Sequence, residues 1–334
     1  MRYFLGLISL HKKVMQLFYR AFSGMFVAII EIFIIAFIAG ILVRRDIIKR
    51  SYIQGLADIT VKVLLPSMIL DNILTTFDPS RIGSWWLLPM IGFLAPLVFL
   101  VFVFILYLPD YKKHLNKFPL ATFQNGGYLV LPLGQLLYKE RFNQFALYVF
   151  LLTMGLGMIL WTVGKFLITH TDEGKKVKFT DLITPPFIAI VFSLFLVFTG
   201  LNKYIPKIII EPVRLIGSAT VPIATFVLGA TVGGISFRGF ASLVDIFKLS
   251  FVKYLIMPAI TIFILYQSGF YISNSLLADF LVIESSAAPA ANLIVMVRKY
   301  GGDEQQTGSI MFVMYFLAVI TMPLTLALWK YITV

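Results

Sequence analysis

The chain has no cysteine and only three histidines, His11, His114 and His170, in 334 residues. Without cysteine it can form no disulfide, thiol nucleophile or thiolate-ligated metal site. The histidines stand far apart in polar stretches, which argues against a metal site built from them. No GxxxxGK[ST], HExxH or GxSxG pattern occurs, so the signatures of ATP hydrolysis, zinc proteolysis and the usual serine hydrolases are missing. Charge is scarce as well. Only 13% of residues are Asp, Glu, Lys or Arg, against about 25% in an ordinary soluble domain. A surface so poor in charge would not keep a protein of this length in water.

What the chain has instead is apolar sequence: 59% of its residues, 32 of them phenylalanine, with a mean hydropathy of +0.91. A membrane-spanning helix needs about 20 mostly apolar residues. Ten stretches answer to that: Gly24–Val43, Ile53–Thr76, Gly83–Tyr107, Leu120–Tyr138, Gln144–Phe166, Pro185–Gly200, Pro212–Gly234, Val244–Gly269, Ser275–Val297 and Thr307–Trp329. Charged, turn-rich segments separate them, among them RRDIIKR at 44–50, PDYKKH at 109–114 and HTDEGKKVK at 170–178. The expected fold class is therefore an all-α polytopic membrane protein of ten spans, with no room for a soluble catalytic domain.

Residues 1–23 read differently. Arg2 precedes a short apolar run that His11, Lys12 and Lys13 cut off, and no small-residue cleavage site follows cleanly. This segment is expected to be retained and to lie amphipathically at the membrane interface. With it set aside, the loops after odd-numbered spans carry most of the Lys and Arg, which places both termini on the extracytoplasmic side. The net charge of +12 points to anionic partners, either lipid headgroups or an anionic solute. No nucleic-acid partner is expected. No Asn-x-Ser/Thr sequon occurs, which fits a bacterial inner membrane.

The order of features repeats. Pro66 in span 2 is followed by Pro222 in span 7, and Pro132 in span 4 by Pro289 in span 9, at nearly the same offset. Spans 5 and 10 each follow a charged or amide cluster, KERFNQ and GGDEQQ. The expected organisation is a first five-helix repeat over 24–169, a cytoplasmic connection over 170–184 and a second repeat over 185–334. An odd number of spans per half inverts one half against the other, and such repeats hold their site where broken helices meet at mid-membrane.

Spans 4 and 9 carry the residues for such a site. Span 4 contains Gln124, Asn125, Gly126, Gly127 and Pro132; span 9 contains Glu284, Ser285, Ser286, Pro289 and Asn292. Glycine and proline release backbone groups from the helix ladder, and in lipid those groups need a new partner. The N-termini of half-helices suit a carboxylate, whereas freed carbonyls and Glu284 suit a cation. Glu284 reads as a sodium ligand or proton carrier, or as a structural ion pair with Lys253 in span 8. Asn125 reads as a substrate or ion contact, or as an amide that satisfies the broken backbone beside it. Asn292 is its counterpart in the other half. Gln124, Ser285 and Ser286 are weaker candidates, because small polar residues also pack spans together. Asp58 and Lys62, four apart on one helix face, read as a simple pair, and Glu31 and Asp71 as gating or structural groups. The pattern from Gly229 to Gly233 reads as close packing within the chain rather than a dimer contact.

QNGGYLVLPLG at 124–134 and AAPAANLIVMVRKYGGDEQQTGS at 287–309 resemble the auxin efflux carrier family, which includes plant PIN-type carriers and bacterial organic-acid transporters. The resemblance matches Asn125 and Pro132 to that family's span-4 asparagine and proline, Ala288-Pro289 to its span-9 proline region and Pro66 to its span-2 proline. It implies two inverted five-span halves, crossing broken helices 4 and 9, and elevator-like secondary transport of organic anions, and similar carriers allow a homodimer. Bile-acid/sodium symporters share this architecture and place a glutamate where Glu284 lies. No long cytosolic loop separates spans 5 and 6 here, unlike in plant carriers. The expected activity is therefore alternating-access transport of a small organic anion. Asn125, Gly126, Gly127, Pro132, Ser286, Pro289 and Asn292 would stand around the substrate. A sodium ion or proton would sit at Glu284 with Gln124 and Ser285, and no other cofactor is expected. A membrane sensor or scaffold that keeps the fold but carries little flux is the competing reading; an enzyme is disfavoured.

Overall fold

The computed structural model describes residues 2–80, 84–169, 179–233 and 242–333, with side chains from residue 12 onward apart from Phe179. In chain order its main helices are α1 (Lys12–Arg44), α2 (Arg50–Thr76), α3 (Leu87–Leu106), α4 (Gly126–Leu137), α5 (Lys139–Thr169), α6 (Pro185–Phe198), α7 (Lys207–Gly233), α8 (Leu243–Ser268), α9 (Ser275–Ser285), α10 (Asn292–Tyr300) and α11 (Glu304–Ile332). Seven of these, α1, α2, α3, α5, α7, α8 and α11, are long and apolar enough to cross a membrane. Their outer faces expose side chains such as Phe37, Val101, Phe263 and Ile320, as lipid-facing helices do. The chain is an all-α, multi-pass membrane protein. The connection at 170–178, with His170, and the expected span ends Gly83 and Gly234 lie outside the described residues.

The first helix differs from its expectation. It runs unbroken from Arg2 to Arg44, straight through the boundary expected at residue 23, because no proline interrupts it. From Lys12 alone its 33 residues reach about 50 Å at 1.5 Å per residue, well beyond a hydrocarbon core of about 30 Å.

Proline accounts for most of the irregular turns. Pro66, Pro132 and Pro258 each follow a wide π turn, at Thr60–Leu64, Gly126–Val130 and Val252–Ile256. Each proline lacks the N–H that would bond four residues back and crowds that carbonyl; widening the turn relieves both problems. In α7 the ladder is interrupted at Ala219, between Lys207–Ser218 and Thr220–Gly233, just before Pro222. There Gly217 lies against the backbone of Met68, at 2.7 Å from an added methyl to its nitrogen, so α2 and α7 touch close to their two prolines.

Small residues set the other tight contacts. On α7, Gly229 and Gly233 pack on Ala36 and Gly40 of α1, and a methyl at either position would strike that backbone. The Gly229–Gly233 pattern therefore packs within the chain, as small-xxx-small faces do in membranes. Gly92 of α3 and Gly155 of α5 lock together the same way, against the Leu152 and Pro89 carbonyls.

Two buried carboxylates tie helix ends together. Asp245 accepts from Lys117 at 2.6 Å and from the Tyr107 hydroxyl at 2.8 Å. Asp279 accepts from Lys330 at 2.7 Å, Tyr138 at 3.0 Å and the Trp329 indole at 3.0 Å. Asp58 and Lys62 form their pair at 2.9 Å with both side chains exposed. Asp71 receives Arg214 of α7 at 3.0 Å, a contact between α2 and α7, and Glu31 lies exposed on the outer face of α1.

Candidate transport site

A short helix, Phe118–Thr122, ends where Phe123 turns extended (φ −103°, ψ 126°), and α4 restarts at Gly126. Across from it, α9 ends at Ser285 and α10 starts at Asn292. The two interruptions meet. The Asn125 N–H donates to the Ala288 carbonyl and the Ala290 N–H to the Phe123 carbonyl, both at 3.0 Å. Gln124 and Pro289 face each other in the resulting antiparallel bridge. In lipid an unpaired peptide group costs several kcal/mol, so each break satisfies part of what the other leaves open.

Asn125 is consumed in building this junction. Its amide nitrogen donates to the Tyr315 hydroxyl at 2.6 Å, and its side-chain oxygen caps α4 by accepting from the Tyr128 N–H at 3.1 Å. The Tyr315 hydroxyl donates onward to the Pro289 carbonyl at 2.8 Å. In this conformation Asn125 serves the broken backbone, the second of its two sequence readings. Tyr315 was not among the expected site residues. Its one sequence signal is a hydroxyl in the middle of the apolar run IMFVMYFLAVI.

Beside the junction lies a cavity of about 150 Å³, a size that holds a benzene-sized molecule in other proteins. Gln124, Asn125, Gly126, Gly127, Thr153 and Asn292 contribute to its wall. Val61, Leu65 and Ile69 of α2 and Ile190 of α6 also line it. The structure thus brings Gln124, Asn125, Gly126, Gly127 and Asn292 to one cavity. Pro132, Ser286 and Pro289 do not line it. The Ser286 and Ser285 hydroxyls donate back to the Val282 carbonyl at 3.1 and 2.8 Å, closing the last turn of α9 rather than facing this cavity.

Glu284 is 4% exposed, and neither carboxylate oxygen has a hydrogen-bond partner among the described residues. It points at Gly126: a methyl there would lie 3.2 Å from Oε1 and 3.4 Å from Oε2. With Gln124 and Ser285 it also borders a mainly apolar cavity of about 400 Å³ between α3 and α8. The ion pair with Lys253 is not made by hydrogen bonding. Lys253, fully buried, instead directs its ammonium to the carbonyls of Phe123 at 3.1 Å and Ala121 at 3.4 Å. Among the described residues no group of three or more His, Cys, Asp or Glu converges. An ion at Glu284 would therefore draw its other ligands from carbonyls, amides and hydroxyls.

The broken helices of this polytopic helical protein thus meet beside a small cavity. Residues 25–179 and 174–326 match the profile of a family described as membrane transport protein, and the chain belongs to that family, the one that contains the auxin efflux carriers. It is 25% identical over 295 residues to uncharacterized transporter MJ1031 of Methanocaldococcus jannaschii, covering 86% of this chain and 91% of that one. It is also 25% identical over 175 residues to protein PIN-LIKES 1 of Arabidopsis thaliana, 48% of this chain and 36% of that protein. The chain is a transporter of this family rather than an enzyme.

Proposed function

We propose that the chain is a secondary transporter that moves a small organic anion by elevator-like alternating access, with a sodium ion or proton coupled at Glu284. The observation that carries this reading is the Glu284 carboxylate, buried without a donor among the described residues against the glycine that opens α4. A carboxylate held this way is completed by a proton or a cation, and both are exchangeable. The substrate's own carboxylate fits the start of α4, where Gly126 and Gly127 leave backbone N–H groups next to the cavity, and Asn292 lines the same cavity.

Elevator-like motion is supported by the composition of the cavity wall. The broken segments line it together with α2, α5 and α6, so sliding of the broken segments past α2 and α6 would carry the site between the two faces of the membrane. The separate matches of 25–179 and 174–326 to the family profile are in keeping with two five-span halves. We also propose an inner-membrane location with both termini extracytoplasmic, and a homodimer among anionic lipids.

Thermal stability of the detergent-purified chain against a series of mono- and dicarboxylic acids, each in sodium and in potassium at two pH values, tests the substrate class. A ligand that binds only the folded state adds about 2.7 kcal/mol at 100 times its dissociation constant. At least one acid is expected to raise Tm saturably. A flat response across the series would overturn the organic-anion assignment.

A further inference from the structure

Taking the transport reading of the junction as its basis, we propose that Lys253 is the resident cation of the span-4 break: its ammonium occupies the carbonyl pocket that a bound ion would otherwise fill. In an unbroken helix the Ala121 carbonyl would accept from the Asn125 N–H. Here that N–H goes to Ala288, and the orphaned carbonyl receives Lys253 at 3.4 Å instead. The Phe123 carbonyl, already bonded to the Ala290 N–H, takes a second donor from the same ammonium at 3.1 Å. Unwound carbonyls of this kind coordinate sodium in carriers built on broken helices. In this chain a covalently tethered ammonium takes the place of the ion.

The local fold delivers it there. Lys253 lies in the π turn Val252–Ile256 that precedes Pro258, and its side chain is 0% exposed. A buried ammonium is expensive to desolvate unless acceptors lie close by, and the Phe123 and Ala121 carbonyls supply them. The span-4 half of the junction then holds a cationic group of its own, and no sodium ion is required to complete it.

The experiment is thermal unfolding of the purified full chain in sodium, potassium and choline chloride at matched ionic strength, with no organic acid present. All variants carry Glu284→Gln, which removes the proposed coupling site, so that any remaining sodium effect reports on the carbonyl pocket. In that background the chain with Lys253 intact is expected to melt at the same temperature in all three salts. Adding Lys253→Ala empties the pocket and is expected to gain a sodium-specific, saturating rise in Tm over choline. A saturable sodium-specific rise with Lys253 intact would overturn the proposal, and so would a folded Lys253→Ala protein indifferent to sodium. Should Lys253→Ala not fold, Lys253→Met, which keeps the apolar stem without the ammonium, is read in the same way. Because no substrate is used, either result is independent of whether the chain moves organic anions.

Discussion

Glu284→Gln is expected to give a folded protein with a Tm equal to or above the parent's, while ion-driven uptake falls at least about a hundredfold. The two readouts move apart for one physical reason. A carboxylate in mid-membrane without donors is a liability to the fold, about 2.5–3.5 kcal/mol on insertion scales, and glutamine has the same shape without the charge. If Glu284 held the structure together, its loss would lower Tm, as removing one partner of a buried pair does by about 3–5 kcal/mol. Its oxygens have no hydrogen-bond partner to lose among the described residues, so stability is preserved. The exchangeable proton or cation has nowhere to bind, so coupling is lost. Tm by fluorescence-detected melting and uptake into proteoliposomes under an imposed ion gradient read the two effects separately. A fall in Tm with normal uptake would remove Glu284 from the mechanism.

The second large effect is expected at Tyr315. Tyr315→Phe keeps the ring but deletes the hydroxyl that accepts from Asn125 and donates to the Pro289 carbonyl. Two buried groups from opposite halves of the chain are then left unpaired. At about 1–3 kcal/mol for each orphaned group, the loss is roughly 2–6 kcal/mol, a drop of several degrees in Tm. Tyr254→Phe is the control, since its hydroxyl donates to the Met314 carbonyl at 2.6 Å, inside a helix where that carbonyl has a ladder partner already. Its cost is expected to be about 1 kcal/mol. Equal Tm losses in the two variants would show that Tyr315 has no special hold on the junction.

The sequence shows these features unequally, for physical reasons. Hydrophobic runs that need no partner to be recognised give the membrane class and most spans. Prolines and glycines act on their own backbone, so the breaks around Asn125 and Pro289 are readable before any contact is known. Glu284 stands out for the same reason: a charge inside an apolar run is conspicuous by itself. Long-range partners are not readable in this way. Asn125 meets Tyr315 and Lys253 meets Phe123, contacts separated by more than a hundred residues in the chain. An asparagine beside two glycines accordingly reads equally well as a ligand contact and as a backbone cap. The pairing of Lys253 with Glu284 was an inference from opposite charge, and the backbone carbonyls that take up Lys253 instead carry no sequence signature. Ser285 and Ser286 mislead in the same manner, because a serine at a helix end has its own carbonyls within reach.

The measurement closest to the central claim is counterflow. Proteoliposomes containing the chain are loaded with an unlabelled acid that raises Tm, and the same labelled acid is supplied outside at trace concentration with no ion gradient. The account predicts transient accumulation of label that protein-free liposomes lack and that excess external acid abolishes. An acid that binds saturably, yet shows no counterflow over the whole time course, would contradict transport and leave a ligand-binding sensor in its place.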